Sequence, residues 1–224
     1  MRYLFLLTCL AVTNLSKGQS ELTFGFLPEI SITHRWAEKW RLGTQIESMQ
    51  QSFIYQNQQK QEDYKYIRTD ITPLLTYQLS PNWGVGLGAL TRFENKDFVF
   101  RSIQQLTFNK RSASTRFGHR LRTDQTFEPY EKVRLRLRYR FSLEVPLQGQ
   151  SLNDQEFYTL TSIEQIAIYQ AANADWEQRL SVVLGYYFNG HHKIEFGLDY
   201  RLDNFLNEAG RHRLWTMMNY YLNL

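Results

Sequence analysis

Arginine occurs at every second position from Arg134 to Arg140, and the intervening residues are leucine and tyrosine. An extended chain places all of these guanidinium groups on one face and the apolar side chains on the other, whereas a helix would scatter the arginines around its axis. Three more arginines lie shortly before, at Arg116, Arg120 and Arg122. The pattern predicts two strands that share a strongly cationic face, which would attract anions unless carboxylates neutralise it.

Acidic residues in other alternating segments are suited to that neutralisation. Burying a charge costs several kcal/mol unless it is paired and hydrogen-bonded, so we expect a network of bidentate Arg–carboxylate pairs across a narrow lumen. The predicted lumen network consists of Arg116, Arg120, Arg122, Arg134, Arg136, Arg138, Arg140, Glu164, Glu177, Arg179, Glu195, Asp199, Arg201 and Asp203. Such a network either fills and closes the lumen or forms an anion-attracting wall in a small pore. The number of carboxylates favours closure.

The histidines indicate little catalytic chemistry. A nucleophilic hydroxyl needs an adjacent base, and the local arrangement that offers one is His119 with Thr123 or Ser114. Packing within a strand explains these residues equally well, so no catalytic residue and no enzyme activity is expected. The histidine spacing is not that of metal ligands, and no glycine-rich phosphate loop is present, so neither a metal nor a cofactor is expected.

Alternation with a period of two recurs along most of the chain. It is clear at 133–145, 176–188 and 192–203, and Asn189-Gly190 between the last two favours a tight hairpin turn. Further strands are predicted near 22–34, 39–55, 71–79, 83–89, 97–109, 113–127, 155–169 and 211–224. Polar stretches at 56–63, 147–154 and 207–210 are interpreted as loops. The fold expected is all-β, one antiparallel meander of about 10–12 strands that closes as a transmembrane barrel.

The first strand presents an ambiguity. Short turns near 35–39, 80–82, 110–112 and 189–191 fall on one side of such a meander, which we interpret as the periplasmic side. The segment 22–34 would then run towards the periplasm from outside. The alternatives are that it splits in two or folds into the lumen.

Three features favour a membrane barrel over a soluble one. Several alternating patterns run for about 12 to 15 residues, whereas soluble strands usually have about 5 or 6 and a tilted membrane strand needs about 9–11. The face that carries the arginines is too uniformly cationic to be the solvent-exposed surface of a soluble barrel. Aromatic residues lie mostly near predicted strand ends, where interfacial girdles belong: Trp36, Trp40, Trp83, Trp176, Tyr139, Tyr200 and Tyr220.

The first residues indicate export. A short basic start at Arg2 is followed by an apolar run from Leu4 to Val12, and small residues at Ser16 and Gly18 suit cleavage. We therefore predict a signal peptide at 1–18 and one barrel domain at 19–224. Because the sole cysteine lies inside the apolar run, the mature chain would lack disulfides and thiol chemistry.

The overall charge gives no support for nucleic-acid binding. The net charge is +4, and it falls to +2 when Arg2 and Lys17 leave with the signal peptide.

The expected partners are outer-membrane lipid and, during biogenesis, the barrel-assembly machinery. The apolar face of the last strand, which ends at Leu224, resembles the strand that this machinery recognises, although the usual terminal phenylalanine is absent.

Several motifs resemble one protein family. The run from Phe117 to Phe127, the arginine row from Arg134 to Arg140, the isolated Glu164 and the segment from Trp176 to Leu180 are similar to the pattern of the domain-of-unknown-function 2490 family. The similarity covers most of the mature chain. It implies an exported outer-membrane barrel and supplies no activity.

The sequence thus predicts a porin-like barrel in the outer membrane of a Gram-negative cell. Its role is interpreted as structural or interacting, or as a narrow and largely plugged channel. Two alternatives stay open. One is a membrane-embedded lipid-modifying enzyme, and the other is a soluble periplasmic barrel that binds an apolar ligand.

Overall fold

The computed structural model describes five stretches of the chain: 21–56, 59–94, 97–112, 114–204 and 210–224. The predicted signal peptide lies outside the described residues, as does most of the predicted loop at 207–210.

The described residues form an all-β fold, as predicted. Among them there is no helix long and apolar enough to cross a membrane. Strand lengths run from 12 residues in β4 to 20 residues in β3. The strands are β1 (Leu22–Arg35), β2 (Trp40–Gln56), β3 (Gln59–Gln78), β4 (Trp83–Glu94), β5 (Asp97–Ser112), β6 (Thr115–Phe127), β7 (Arg134–Pro146), β8 (Glu156–Gln170), β9 (Asn173–Asn189), β10 (His192–Asp203) and β11 (Arg211–Asn223).

The eleven strands form one closed barrel in which each strand pairs with its neighbours in the chain and β1 pairs with β11. Ten of the pairs are antiparallel, but β1 and β11 are parallel. An up-and-down meander with an odd number of strands must close in this way, because its first and last strands run in the same direction. The predicted barrel is therefore confirmed, with a parallel closing pair that a purely antiparallel meander lacks.

Backbone hydrogen bonds extend this seam beyond the two strands. The amide of Leu224 donates to the carbonyl of Thr33 at 2.8 Å, and the amide of His212 donates to the carbonyl of Glu21 at 3.1 Å. Closure removes the two exposed edges that an open sheet would have. The segment 22–34 thus belongs to the wall as a single strand, which settles the ambiguity about its path.

The parallel seam also distinguishes the two ends of the barrel. At the N-terminal end, β1 begins and residues 128–133 and 171–172 connect strands. At the C-terminal end, β11 finishes, and the turns at 36–39, 79–82 and 190–191 and the longer connection at 147–155 join strands. The turns predicted near 35–39, 80–82 and 189–191 all lie at the C-terminal end.

Two connections differ from the prediction. The segment 56–63, predicted as a loop, is largely paired strand, since Glu62 and Lys60 are in register with Phe53 and Tyr55 of β2. The likewise predicted turn at 110–112 belongs to β5. The side chains of Lys60 and Glu62 are exposed, and a hairpin that is solvated on both faces needs no apolar side. Its polar composition therefore resembled that of a loop.

The outer wall is apolar over most of its middle. Large side chains exposed on this surface include Ile30, Ile46, Leu87, Leu121, Leu137, Leu180, Val182, Leu184, Leu198 and Met218. The alternation of each strand explains this exposure, because the charged residues occupy the opposite face.

Aromatic rings flank this apolar band at both ends. At the C-terminal end, Trp40 packs on Tyr77 and Trp83 on Phe108, each with ring centroids 4.8 Å apart. At the N-terminal end the corresponding ring pairs are Phe93 with Phe98 at 5.3 Å and Phe100 with Phe127 at 6.1 Å. The barrel therefore has two aromatic belts with an apolar band between them.

A small apolar cluster occupies part of the interior near β1 and β11. Trp215 is fully buried and packs with Leu27 and Met49. It lies directly over Gly25, where a Cβ atom would overlap the indole ring. Glycine is required here because the backbone of β1 must approach the ring closely.

Candidate functional site: the charged interior

Alternation directs seven arginines of β6 and β7 into the barrel: Arg116, Arg120, Arg122, Arg134, Arg136, Arg138 and Arg140. The register places Arg122 opposite Arg138 and Arg120 opposite Arg140. Like charges directly opposite one another on adjacent strands are destabilising. The arrangement therefore requires anions from other positions.

The carboxylate of Glu164 on β8 provides the main compensation. Its Oε1 lies 2.7 Å from Nη2 of Arg120, and its Oε2 lies 2.9 Å from Nη2 of Arg138 and 3.4 Å from Nη2 of Arg140. Arg179 on β9 approaches the same Oε2 to 3.8 Å. Glu164 is 1% exposed, so one buried carboxylate joins arginines from three other strands.

Asp124 on β6 is the second anion within the arginine row. Its Oδ1 lies 3.1 Å from Nε of Arg122, and its Oδ2 lies 3.3 Å from Nη1 of Arg138. Arg138 therefore bridges Asp124 and Glu164. The sequence analysis did not include Asp124 in the lumen network, although its place in the alternation of β6 was a usable signal.

The other predicted carboxylates do not meet the arginine row. They pair with basic residues of their own strand or of β11, and Glu177 reaches Arg213 of β11 past the intervening β10. The pairs are Glu177 with Arg179 and Arg213, Asp199 with Arg201, Asp203 with Arg211 and Arg213, and Glu195 with Lys193. Inward residues two positions apart on one strand already face the same way, so these side chains meet without reaching across the lumen.

Glu195 also accepts hydrogen bonds from neutral groups. The hydroxyl of Tyr158 donates to it at 2.6 Å and that of Tyr221 at 3.0 Å. Nζ of Lys193 lies 3.1 Å from the same carboxylate and 3.9 Å from the centroid of the Tyr221 ring. Tyr158 is fully buried. These residues form a compact polar cluster below the arginine row, towards the C-terminal end.

A fork-shaped pair on β3 and β4 was not predicted. Nε and Nη2 of Arg92 each donate to a different oxygen of Asp70, both at 2.8 Å. Arg68 lies 3.4 Å from Asp70 and 3.7 Å from Glu47. The bidentate geometry expected for the whole network is clearest at this pair, which was missed because Asp70 and Arg92 lie just outside the strands predicted at 71–79 and 83–89.

Arg101 and Arg136 point inward and have no carboxylate within ion-pair distance among the described residues. Arg101 on β5 is 4% exposed, and its Nε donates to the hydroxyl of Thr126 at 2.8 Å. Its Nη2 is buried without a hydrogen bond, as is Nε of Arg136. The remaining arginines of the row lie near the ends. Arg134 is 3.1 Å from Glu128, and Arg116 is 4.0 Å from Glu144 and half exposed.

These side chains surround an interior cavity of about 1040 Å³. Twelve of the fourteen predicted network residues line it, the exceptions being Arg116 and Glu164. Its lining reaches the connections of the N-terminal end at Glu131, Lys132 and Ala171. No described residue of the C-terminal turns contributes to the lining. The cavity thus extends to one end of the barrel only.

The predicted catalytic candidates do not meet. Nδ1 of His119 lies 2.8 Å from the hydroxyl of Tyr139 on the outer wall. The hydroxyl of Thr123 donates to Oε1 of Gln104 at 2.8 Å. Within the described ranges, no hydrogen bond joins His119 to Thr123 or to Ser114. Nor does that part of the chain hold a group of three or more His, Cys, Asp or Glu residues placed to bind a metal ion.

A family model described as "Protein of unknown function (DUF2490)" matches residues 24–212. The chain belongs to the DUF2490 family. The matched range includes all fourteen predicted network residues and every strand except the first two residues of β1 and most of β11. The DUF2490 resemblance inferred from the arginine pattern is therefore confirmed. No curated protein and no solved structure matches the chain.

Proposed function

We propose that this DUF2490 protein is an outer-membrane β-barrel whose charged interior closes it to the free passage of solutes. The observation that carries the proposal is the inverted polarity of the barrel. Buried ion pairs occupy its interior and exposed apolar side chains cover its outer wall. A soluble barrel has the opposite arrangement, since it keeps its apolar face inside.

The outer wall supports residence in a membrane. A soluble monomer rarely exposes an apolar patch above a few hundred Å², and here apolar side chains surround the barrel. The flanking aromatic belts match the girdles of membrane barrels at the two interfaces. Closure of the wall satisfies the backbone hydrogen bonds that hydrocarbon cannot satisfy.

The two ends give an orientation. Outer-membrane barrels keep short turns on the periplasmic side and project longer hairpins and loops outside. The hairpin of β2 and β3, with strands of 17 and 20 residues, projects from the N-terminal end, whereas the turns at 36–39, 79–82 and 190–191 at the C-terminal end are short and the connection at 147–155 is longer. The C-terminal end then faces the periplasm. The cavity consequently opens towards the outside of the cell.

The ion pairs favour a closed barrel over a pore. Glu164 ties together β6, β7, β8 and β9 within the lumen, and opening a path there would require separating buried charges. The cluster of Tyr158, Lys193 and Tyr221 around Glu195 lies between the cavity and the C-terminal turns. A channel would need an open path past both groups.

The alternatives have less support. A soluble barrel that binds an apolar ligand needs an apolar interior, but the cavity wall is mostly charged and polar. A lipid-modifying enzyme needs a base next to a hydroxyl nucleophile, and the nearest candidates, His119 and Thr123, have other hydrogen-bond partners. Neither reading has an observation that favours it over the closed barrel.

Cell fractionation tests the location. The full chain, produced in a Gram-negative host, is expected in the outer-membrane fraction, resistant to washing with high salt and released by detergent. Release by the salt wash alone would overturn the membrane proposal.

A further inference from the structure

The starting observation is a pair of cavity-lining arginines that lack an ion-pair partner. Of the thirteen arginines that line the cavity, Arg101 and Arg136 alone have no carboxylate within ion-pair distance among the described residues. A buried guanidinium without a partner is costly, so this part of the wall is incomplete without an anion.

The register brings these two side chains to one place. Arg101 on β5 is opposite Thr126 on β6, and Arg136 on β7 is opposite Asp124, the preceding inward residue of β6. The two arginines therefore flank β6 from either side at neighbouring levels. Asp124 does not neutralise them, because its oxygens contact Arg122 and Arg138.

We infer that the cavity binds the phosphate group of a small polar solute, held between the guanidinium groups of Arg101 and Arg136. Guanidinium forks bind phosphate through paired charge-assisted hydrogen bonds. Two guanidinium groups offer more N–H donors than the two oxygens of a single carboxylate can accept. A phosphate dianion has more acceptor oxygens and a second negative charge, and it therefore suits the pair better. Arg101 and Arg136 both line the cavity, so an anion bound there would supply the partner that each of them lacks.

The cavity also has room for the rest of such a solute. Its volume of about 1040 Å³ is at the upper end of the range for small-molecule sites. Ser162 and Ser181 line it, as do Asn173 and Asn204 near the N-terminal end, and these groups suit a hydroxylated body. The inference rests on the proposed closed barrel in one respect, since a cavity with one opening retains a ligand that a pore would pass.

Calorimetric titration of the full chain in detergent tests the site, with inorganic phosphate as the probe at low ionic strength. Wild type is expected to bind phosphate in the millimolar range or tighter. Arg101→Gln and Arg136→Gln are each expected to weaken binding by about tenfold or more, as loss of a charged hydrogen bond implies. Arg211→Gln is the matched control, because Arg211 also lines the cavity but pairs with Asp203 at 3.4 Å. Its affinity should stay near that of wild type.

Further probes identify the ligand class. Tighter binding of glycerol 3-phosphate than of phosphate supports a phosphate ester, whereas equal binding supports free phosphate. Acetate binding as tight as phosphate would overturn the assignment, as would undetectable phosphate binding or unchanged binding by both variants. If Arg101→Gln does not fold, the phosphate affinity of Arg136→Gln tests the site, because Arg136 is only partly buried and its substitution disturbs the fold less. Steady conductance of the wild-type barrel would contradict the closed lumen but would leave the binding result standing.

Discussion

Oε1 of Glu164 on β8 lies 2.7 Å from Nη2 of Arg120 on β6, although a complete strand, β7, separates the two residues in the wall. The contact passes over the inward face of β7, whose Arg138 and Arg140 bind the other oxygen of the same carboxylate. One anion therefore holds three neighbouring strands together from inside the barrel.

Removing that anion should destabilise the barrel strongly. Glu164→Gln leaves four arginines facing a neutral amide, and loss of one partner of a buried pair typically costs about 3–5 kcal/mol. Urea unfolding in lipid vesicles measures the change. Glu62→Gln is the control, because its partner Lys60 is 3.4 Å away and both side chains are exposed. That change should cost at most about 1 kcal/mol, and equal losses for the two variants would contradict the role assigned to Glu164.

Two glycines of the wall should respond differently to alanine. At Gly25 a Cβ atom would overlap the Trp215 ring and the carbonyl oxygen of Gln50, so Gly25→Ala should cost about 1–3 kcal/mol or more through overpacking. At Gly43 the nearest atoms are 3.8 Å away, and alanine there should be neutral or stabilising by up to about 1 kcal/mol. Unfolding free energies compare the two variants. The packing argument is wrong if Gly25→Ala is as stable as Gly43→Ala.

The fork between Arg92 and Asp70 should depend on guanidinium shape as well as charge. Arg92→Lys keeps the cation but loses one of the two parallel hydrogen bonds, and we expect a loss of about 1–3 kcal/mol in unfolding free energy. The same substitution at Arg116, which is half exposed and has a single contact at 4.0 Å, should change little. Similar values at both positions would argue against bidentate recognition.

A charged substitution on the outer wall should destabilise the barrel, because this wall is proposed to face hydrocarbon. Leu137 is half exposed and points outward between the inward Arg136 and Arg138. Leu137→Arg should cost about 2–4 kcal/mol for a position near the bilayer midplane. Folding into lipid vesicles, followed by the heat-dependent gel mobility of the barrel, measures this. Tyr130→Arg, in the exposed connection between β6 and β7, is the control. An unimpaired Leu137→Arg would place this wall outside the hydrocarbon.

Much of the fold follows from local pattern. The period of two in segments such as 133–145 predicts both the strand and the face that each side chain occupies, because successive side chains of a strand point to opposite faces. Closure in parallel follows from an odd strand count, which local pattern cannot supply when the ends of strands are uncertain. The hairpin at 56–63 shows the limit, since a strand solvated on both faces has no apolar period to detect.

The interior was less predictable than the fold. Alternation places the side chains inside, but it does not determine which cation meets which anion. Glu164 reaches the arginine row because β8 adjoins β7, whereas Glu177 meets Arg179 on its own strand. The Asp70–Arg92 pair and the unpaired state of Arg101 depend on register between strands, and register is set by turns whose lengths are uncertain by a residue or two.

Planar-bilayer recording of the purified full chain tests the central claim most directly. If Glu164 with its arginine partners and the cluster around Glu195 close the barrel, the protein should insert into the bilayer without producing a steady conductance at moderate voltage. Glu164→Gln, if it folds, should then show more frequent openings than wild type, because the buried carboxylate no longer holds the arginines together. Steady anion-selective conductance by wild type, reduced in Arg136→Glu, would contradict the closed barrel and indicate a pore lined by the arginine row.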